Sequence, residues 1–160
     1  MRKSVYKSML DADMNVRYWK YLTQRYSNRD RNIKILLAIT SSGVVAGWSI
    51  WNEIPFLWQV LSGISAIIAI VSPILNYQKI IESTSDLSGK WWELLRYYES
   101  FWLNVKNGEI DKRIEKEYTR TKAKEDALVK KETKLPQDIK LLRECQNEVL
   151  RSRGLKKKEG

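Results

Sequence analysis

Histidine is absent from this 160-residue chain, cysteine occurs once, and there are only seven glycines and three prolines. Without histidine there is no imidazole acid/base chemistry, no HExxH-type zinc site and no Cys-His nucleophile. A single cysteine excludes an internal disulfide, and Cys145, set among Leu142, Val149 and Leu150, reads as a small hydrophobe on a helix face. No carboxylate pair sits at a recognisable catalytic spacing, so no enzyme, cofactor or metal is expected. So few turn-forming residues favour long helices and give strands little support.

Charge is missing from one long region. Between residues 35 and 78 the only charged side chain is Glu53. The mean hydropathy of −0.47 hides this, because both flanks are dense in Lys, Arg, Asp and Glu. Residues 35–51 ("ILLAITSSGVVAGWSIW") and 56–75 ("FLWQVLSGISAIIAIVSPIL") carry no charge over 17 and 20 residues. As helices they reach about 25 and 30 Å, comparable with the hydrocarbon core of a bilayer. They are apolar on nearly every face, whereas surface helices of soluble domains are striped.

The stretch between them has the chemistry of a helical turn at a membrane face. Asn52 suits a cap, Pro55 suits the first turn of the second helix, and Glu53 suits that helix's positive dipole end. Trp48, Trp51 and Trp58 are half apolar and half polar, as headgroup-level residues are. Arg25, Arg29, Arg31 and Lys34 precede the first run, Lys79 and Lys90 follow the second, and the turn has no basic residue. Basic excess marks the cytoplasmic side, so both termini are expected there, in an integral membrane protein with two spans. About 34 mostly polar residues precede the first run, so no signal peptide is expected.

The flanks carry helical periodicity. Val5, Met9, Ala12, Val16, Trp19, Thr23 and Tyr26 alternate spacings of four and three, as do Leu87, Trp91, Leu94, Tyr98, Phe101 and Val105, with Trp92, Leu95 and Trp102 widening the second face. These aromatic seams are expected to pack on each other or on copies of themselves, with Trp19, Trp91, Trp92, Tyr98 and Trp102 as a cytosolic interface. After "KNGEI" a charged helix is expected to about Lys134, with sparse apolar positions at Ile110, Ile114, Tyr118, Leu128 and Val129; it reads as solvated or a weak coiled coil. A last helix carries Ile139, Leu142, Cys145 and Val149. The expected fold is an all-α membrane protein. Its transmembrane hairpin comprises spans at 33–52 and 55–76 about a turn at 53–54. Cytosolic amphipathic helices lie at 1–32, 77–106, 109–134 and 136–153, and a basic tail at 154–160.

The formal charge of +10 divides as +6 over 1–34, −1 over 35–78 and +5 over 79–160. Acids interleave with these bases almost throughout, so the lipid bilayer is the expected partner of the charge and nucleic acid is not. Gly43 and Gly47 form a small-xxx-small pair. Gln59, Ser62, Gly63, Ala66, Ala69 and Pro73 fall on one stripe of the second run, which in lipid must face a helix or water. Gly43, Gly47, Gly63, Ala66 and Ala69 are therefore candidate helix-packing positions, and Glu53, Gln59 and Ser62 candidate pore or turn residues in a homo-oligomer, where a ring of Glu53 would favour cations.

The arrangement "RYWKYLTQRYSNRDRN", a first apolar run, a short turn, then "LSGISAIIAIVSPILNYQKIIESTSDLSGKWWELLRYYESFW" resembles the SLATT family (SMODS and SLOG-associating two-transmembrane effectors) over 16–105. The likeness is one of topology and texture. It implies an oligomerising effector of a bacterial defence or stress system that permeabilises the inner membrane when an upstream signalling protein fires, and it transfers no residue-level role. The sequence leaves two alternatives open: an anchor or scaffold recruiting a partner through Trp91, Trp92 and Trp102, and a phage holin-like protein.

Overall fold

A computed structural model describes residues 1–41, 55–108 and 111–155; within these, the side chains of residues 40, 41, 55, 57, 58, 61, 73 and 75 are not described. The described residues are all-helical: α1 (Arg2–Ser41), α2 (Pro55–Leu75), α3 (Tyr77–Lys106), α4 (Lys112–Glu132) and α5 (Ile139–Ser152). The chain divides into a helical unit, Met1–Thr23 with Ser83–Gly160, and an apolar unit, Gln24–Glu82.

Local chemistry sets the helix ends. Asp111 caps α4 by accepting from the Ile114 amide at 2.8 Å, and Asp138 caps α5 by accepting from the Leu141 amide at 3.0 Å. Gly154, at φ 69°, closes α5 while the Leu155 amide donates back to the Leu150 carbonyl at 2.8 Å. Asn76 separates α2 from α3 at φ 41°, a left-handed conformation that asparagine tolerates better than most residues. α2 opens with Pro55, where the missing N–H costs no helical bond. The change from charged to apolar sequence near residue 33 leaves no mark on the backbone. α1 runs through it unbroken, having no Gly or Pro between Arg2 and Ser41.

In the helical unit, the first part of α1 and all of α4 run parallel. Ser4 and Tyr118 pair their hydroxyls at 2.8 Å near one end, and the Trp19 indole reaches Glu132 near the other. α3 runs antiparallel to both: Thr84 meets Thr23 at 2.8 Å, and Trp102 lies against Tyr6 with ring centroids 4.8 Å apart. Of the expected α1 seam, Val5, Met9, Ala12 and Trp19 are buried while Val16, Thr23 and Tyr26 are half-buried, and Tyr18 and Leu22 join the core from beside it. On α3 the expected Leu87, Trp91, Leu94, Leu95, Tyr98, Phe101 and Val105 are all buried. Trp19 and Trp91 are each 1% exposed. Truncating either to alanine would cost about 3–5 kcal/mol by the usual cavity penalty. Tyr98, Phe101 and Tyr118 form an aromatic triangle, the two Tyr118 contacts being edge-on at 6.0 and 5.9 Å.

Two sequence expectations are corrected here. α4 is docked, not solvated: Thr121 and Leu128 are buried, whereas Val129 is exposed. Its inner seam is Ile114, Tyr118, Thr121, Glu125, Leu128 and Glu132, a strict four-three rhythm obscured by two glutamates. α5 is rotated from the expected face. Leu141, Cys145 and Val149 are buried, Leu142 is half-buried and Ile139 is exposed, because the polar contacts of Asp138 and Glu148 with α1 fix its orientation.

In the apolar unit, Tyr26 and Tyr77 lie 5.9 Å apart between ring centroids, with the Arg29 guanidinium over Tyr26. The half-buried side of α2 is Ser65, Ile68 and Ser72, and the Ser65 hydroxyl is enclosed without a hydrogen-bond partner. Among the described residues no single helix is long and apolar enough to cross a membrane. Side chains of α2 are described without interruption only over Ser62–Ser72, about 16 Å of helix at the usual rise.

Candidate functional site

The residues singled out by the sequence fall into three groups. Gly43, Gly47, Glu53 and the expected Trp48, Trp51 and Asn52 lie outside the described residues, as do Ile110 and the side chain of Trp58. Gln59, Ser62, Gly63, Ala66 and Ala69 all lie on exposed positions of α2. Among the described residues a Cβ built on Gly63 meets nothing within 4 Å, so none of them uses that glycine for close packing. Large aliphatics share this exposure: Ile67 is 62%, Ile70 68% and Ile74 75% exposed. An uncharged helix thus presents both its small-residue stripe and its bulky residues outward.

The third group, the aromatic residues, splits. Trp19, Trp91 and Tyr98 are core of one chain, which places the two seams against each other. Trp102 is half-buried against Tyr6, with the Arg2 guanidinium 5.7 Å from its ring. Trp92 is 55% exposed and unlike its neighbour remains available at the surface.

Carboxylates that the sequence reading passed over organise the polar part of the unit. Glu132, the last residue of α4, accepts the indole N–H of Trp19 at 2.8 Å and that of Trp91, both on Oε1. Burial pushes its pKa above the ordinary glutamate value, making it a weaker acid; the two indole bonds pull the other way, and the neighbouring Glu125 charge adds to the rise. Glu125 accepts from the Tyr98 hydroxyl and from Lys122 at 2.8 Å. Burial, with this bond, raises the Tyr98 phenol far above its usual range and keeps it a neutral donor. Along α5, Arg17 binds Asp13 at 2.9 Å and Glu148 at 2.7 Å, while Arg153 binds Asp13 at 3.0 Å and Glu99 at 3.2 Å. Asp13 is thereby held between two guanidiniums, and α1, α3 and α5 are tied together. The signal for Glu125 and Glu132 was present as the continuation of the α4 rhythm through polar positions; for Asp13 and Arg153, 140 residues apart, it was not.

Beside Glu132 lies a cavity of about 180 Å³ lined by Asn15, Tyr18 and Trp19 of α1 and by Gln137, Asp138 and Leu142 among others. The Tyr18 hydroxyl accepts the Asp138 amide at 2.9 Å on its margin. Among the described residues no group of three or more His, Cys, Asp or Glu side chains could hold a metal ion. Comparison with protein-family models, with curated proteins and with solved structures found no match.

Proposed function

We propose that this chain is an oligomeric membrane effector that opens an ion-conducting path between helical hairpins formed by residues 33–52 and 55–76. The observation that carries this reading is the outward exposure of Ile67, Ile70 and Ile74 on a helix without one charged residue. Left in water, such a surface is costly at about 25 cal/mol per Å², and lipid or further copies of the helix would cover it. The exposed Gly63, Ala66 and Ala69 suit close contact between copies, and the exposed Gln59 and Ser62 suit a polar lining. The distribution of Lys and Arg supports both termini being cytoplasmic, and the bacterial inner membrane is what the resemblance to SLATT effectors implies. The resemblance to SLATT effectors supports a role in defence, with the helical unit receiving the signal of an upstream partner.

The test is membrane potential, read with a dye in cells induced to express the intact chain. Depolarisation preceding growth arrest is the expected result, and Glu53→Gln is expected to alter ion preference. A steady potential despite confirmed insertion would overturn the conducting role, and recovery of the chain in the soluble fraction would overturn the membrane reading itself. One observation favours a second reading, a scaffold. Trp92 is exposed beside buried Trp91, so a recruited partner would be lost in Trp92→Ala with the potential unaffected.

A further inference from the structure

The cavity beside Glu132 has no part in the membrane reading. Its walls combine the rings of Tyr18 and Trp19 with the amides of Asn15 and Gln137 and the carboxylates of Glu132 and Asp138, and no Lys or Arg lines it. The two indoles that fix Glu132 are neutral donors, so they orient the carboxylate without cancelling its charge. Glu132 also closes α4, and the negative end of the helix dipole adds to its field. Lys130 and Lys131 of the same turn are exposed, and Lys131 lines a separate groove with Lys90 and Leu94. Asp138, whose Oδ1 accepts the neutral Leu141 amide to cap α5, adds a second carboxylate to the lining, so both charged residues of the cavity are acidic. Burial already makes the Glu132 anion costly, as its raised pKa reflects.

We propose that this cavity binds a small organic cation, an alkyl- or arylammonium ion, with its head paired to Glu132 and its apolar part against Tyr18 and Trp19. Carboxylate and aromatic faces together are the chemistry that recognises ammonium groups. An anion would meet like charge, a neutral molecule would leave Glu132 uncompensated, and an inorganic cation would leave the rings unused. At about 180 Å³ the space falls below the roughly 300–1,000 Å³ typical of drug-sized ligands, which restricts the occupant to a compact one.

The experiment is calorimetric titration of benzylammonium chloride into the purified full chain in detergent micelles, with empty micelles as the blank and benzyl alcohol as the neutral analogue. Saturable binding of benzylammonium is expected, with the alcohol at least about tenfold weaker. Glu132→Gln retains the oxygen that accepts both indoles and should weaken benzylammonium by about tenfold or more. Leu142→Trp, which fills the cavity from α5, should abolish binding while the helical circular dichroism is kept. Absence of saturable heat would overturn the proposal, as would equal binding by Glu132→Gln or by the alcohol. The readout is independent of conductance, so its failure and that of the membrane reading are distinguishable.

Discussion

Glu132 holds one carboxylate oxygen under two tryptophan N–H groups that are themselves in the core, and this decides how its substitutions behave. Glu132→Gln keeps an acceptor, whereas Glu132→Leu orphans both indoles at about 1–3 kcal/mol for each buried donor. Chemical denaturation followed by circular dichroism should therefore rank the leucine variant well below the glutamine one. The same residue sets a pH dependence. Its folded pKa lies above the ordinary value near 4.5, so over that window the folded unit binds its proton more tightly than the unfolded chain. Its contribution to stability is present below about 4.5 and is lost as pH rises through the folded value. Asp11, raised by burial despite Lys7, acts in the same direction. Across a pH series the stability of the wild type relative to Glu132→Gln is expected to fall from acid to neutral pH. A difference that rises instead would contradict the burial argument.

At the scale of the element, α2 and α4 invert what their compositions suggest. α4 is among the most charged stretches of the chain, yet it is docked by Tyr118, Thr121 and Leu128 because its polar residues on the inner seam find specific donors. α2 is the most apolar helix described, yet its described side chains are mostly exposed. A bulky residue at Gly63 therefore has room among the described residues, none of which lies within 4 Å of a Cβ there. Gly63→Leu is expected to leave the thermal unfolding of the helical unit unchanged while reducing cross-linked oligomer in membranes. Unchanged cross-linking would remove the small-residue stripe from the assembly surface.

For the whole molecule, the two-unit division has a consequence that expression can check. Thr23 and Thr84, at the two edges of the helical unit, are hydrogen-bonded at 2.8 Å. A short Gly-Ser linker joining Thr23 to Ser83 in place of Gln24–Glu82 would thus leave the core seams and the Asp13–Arg153 bridge intact. This shortened chain is expected to be helical and monomeric without detergent, with the blue-shifted emission of buried Trp19 and Trp91, whereas the full chain, as the proposed membrane protein, is expected to require detergent. Full-chain solubility in buffer alone would count against the membrane reading.

Much was determined by sequence alone. The scarcity of Gly and Pro together with the four-three seams anticipated the all-helical character of the described residues. The buried positions of α3, with Val5, Met9, Ala12 and Trp19 of α1, follow the spacing because periodicity dictates which residues share a face. The start of α2 at Pro55 was equally legible, since proline acts through local backbone geometry, whereas the left-handed Asn76 that ends it lay inside the span expected at 55–76 and was not singled out. Only the tertiary structure decided that Trp91 is core while adjacent Trp92 is surface, that α5 turns Leu141 and not Ile139 inward, and that Glu132 stands between two indoles beside a cavity. These depend on contacts between residues 41 to 140 positions apart, such as Trp91 with Glu132 and Asp13 with Arg153. Hydrophobic period reports which face is apolar; which charge will be desolvated, and by what neighbour, is fixed when the helices meet.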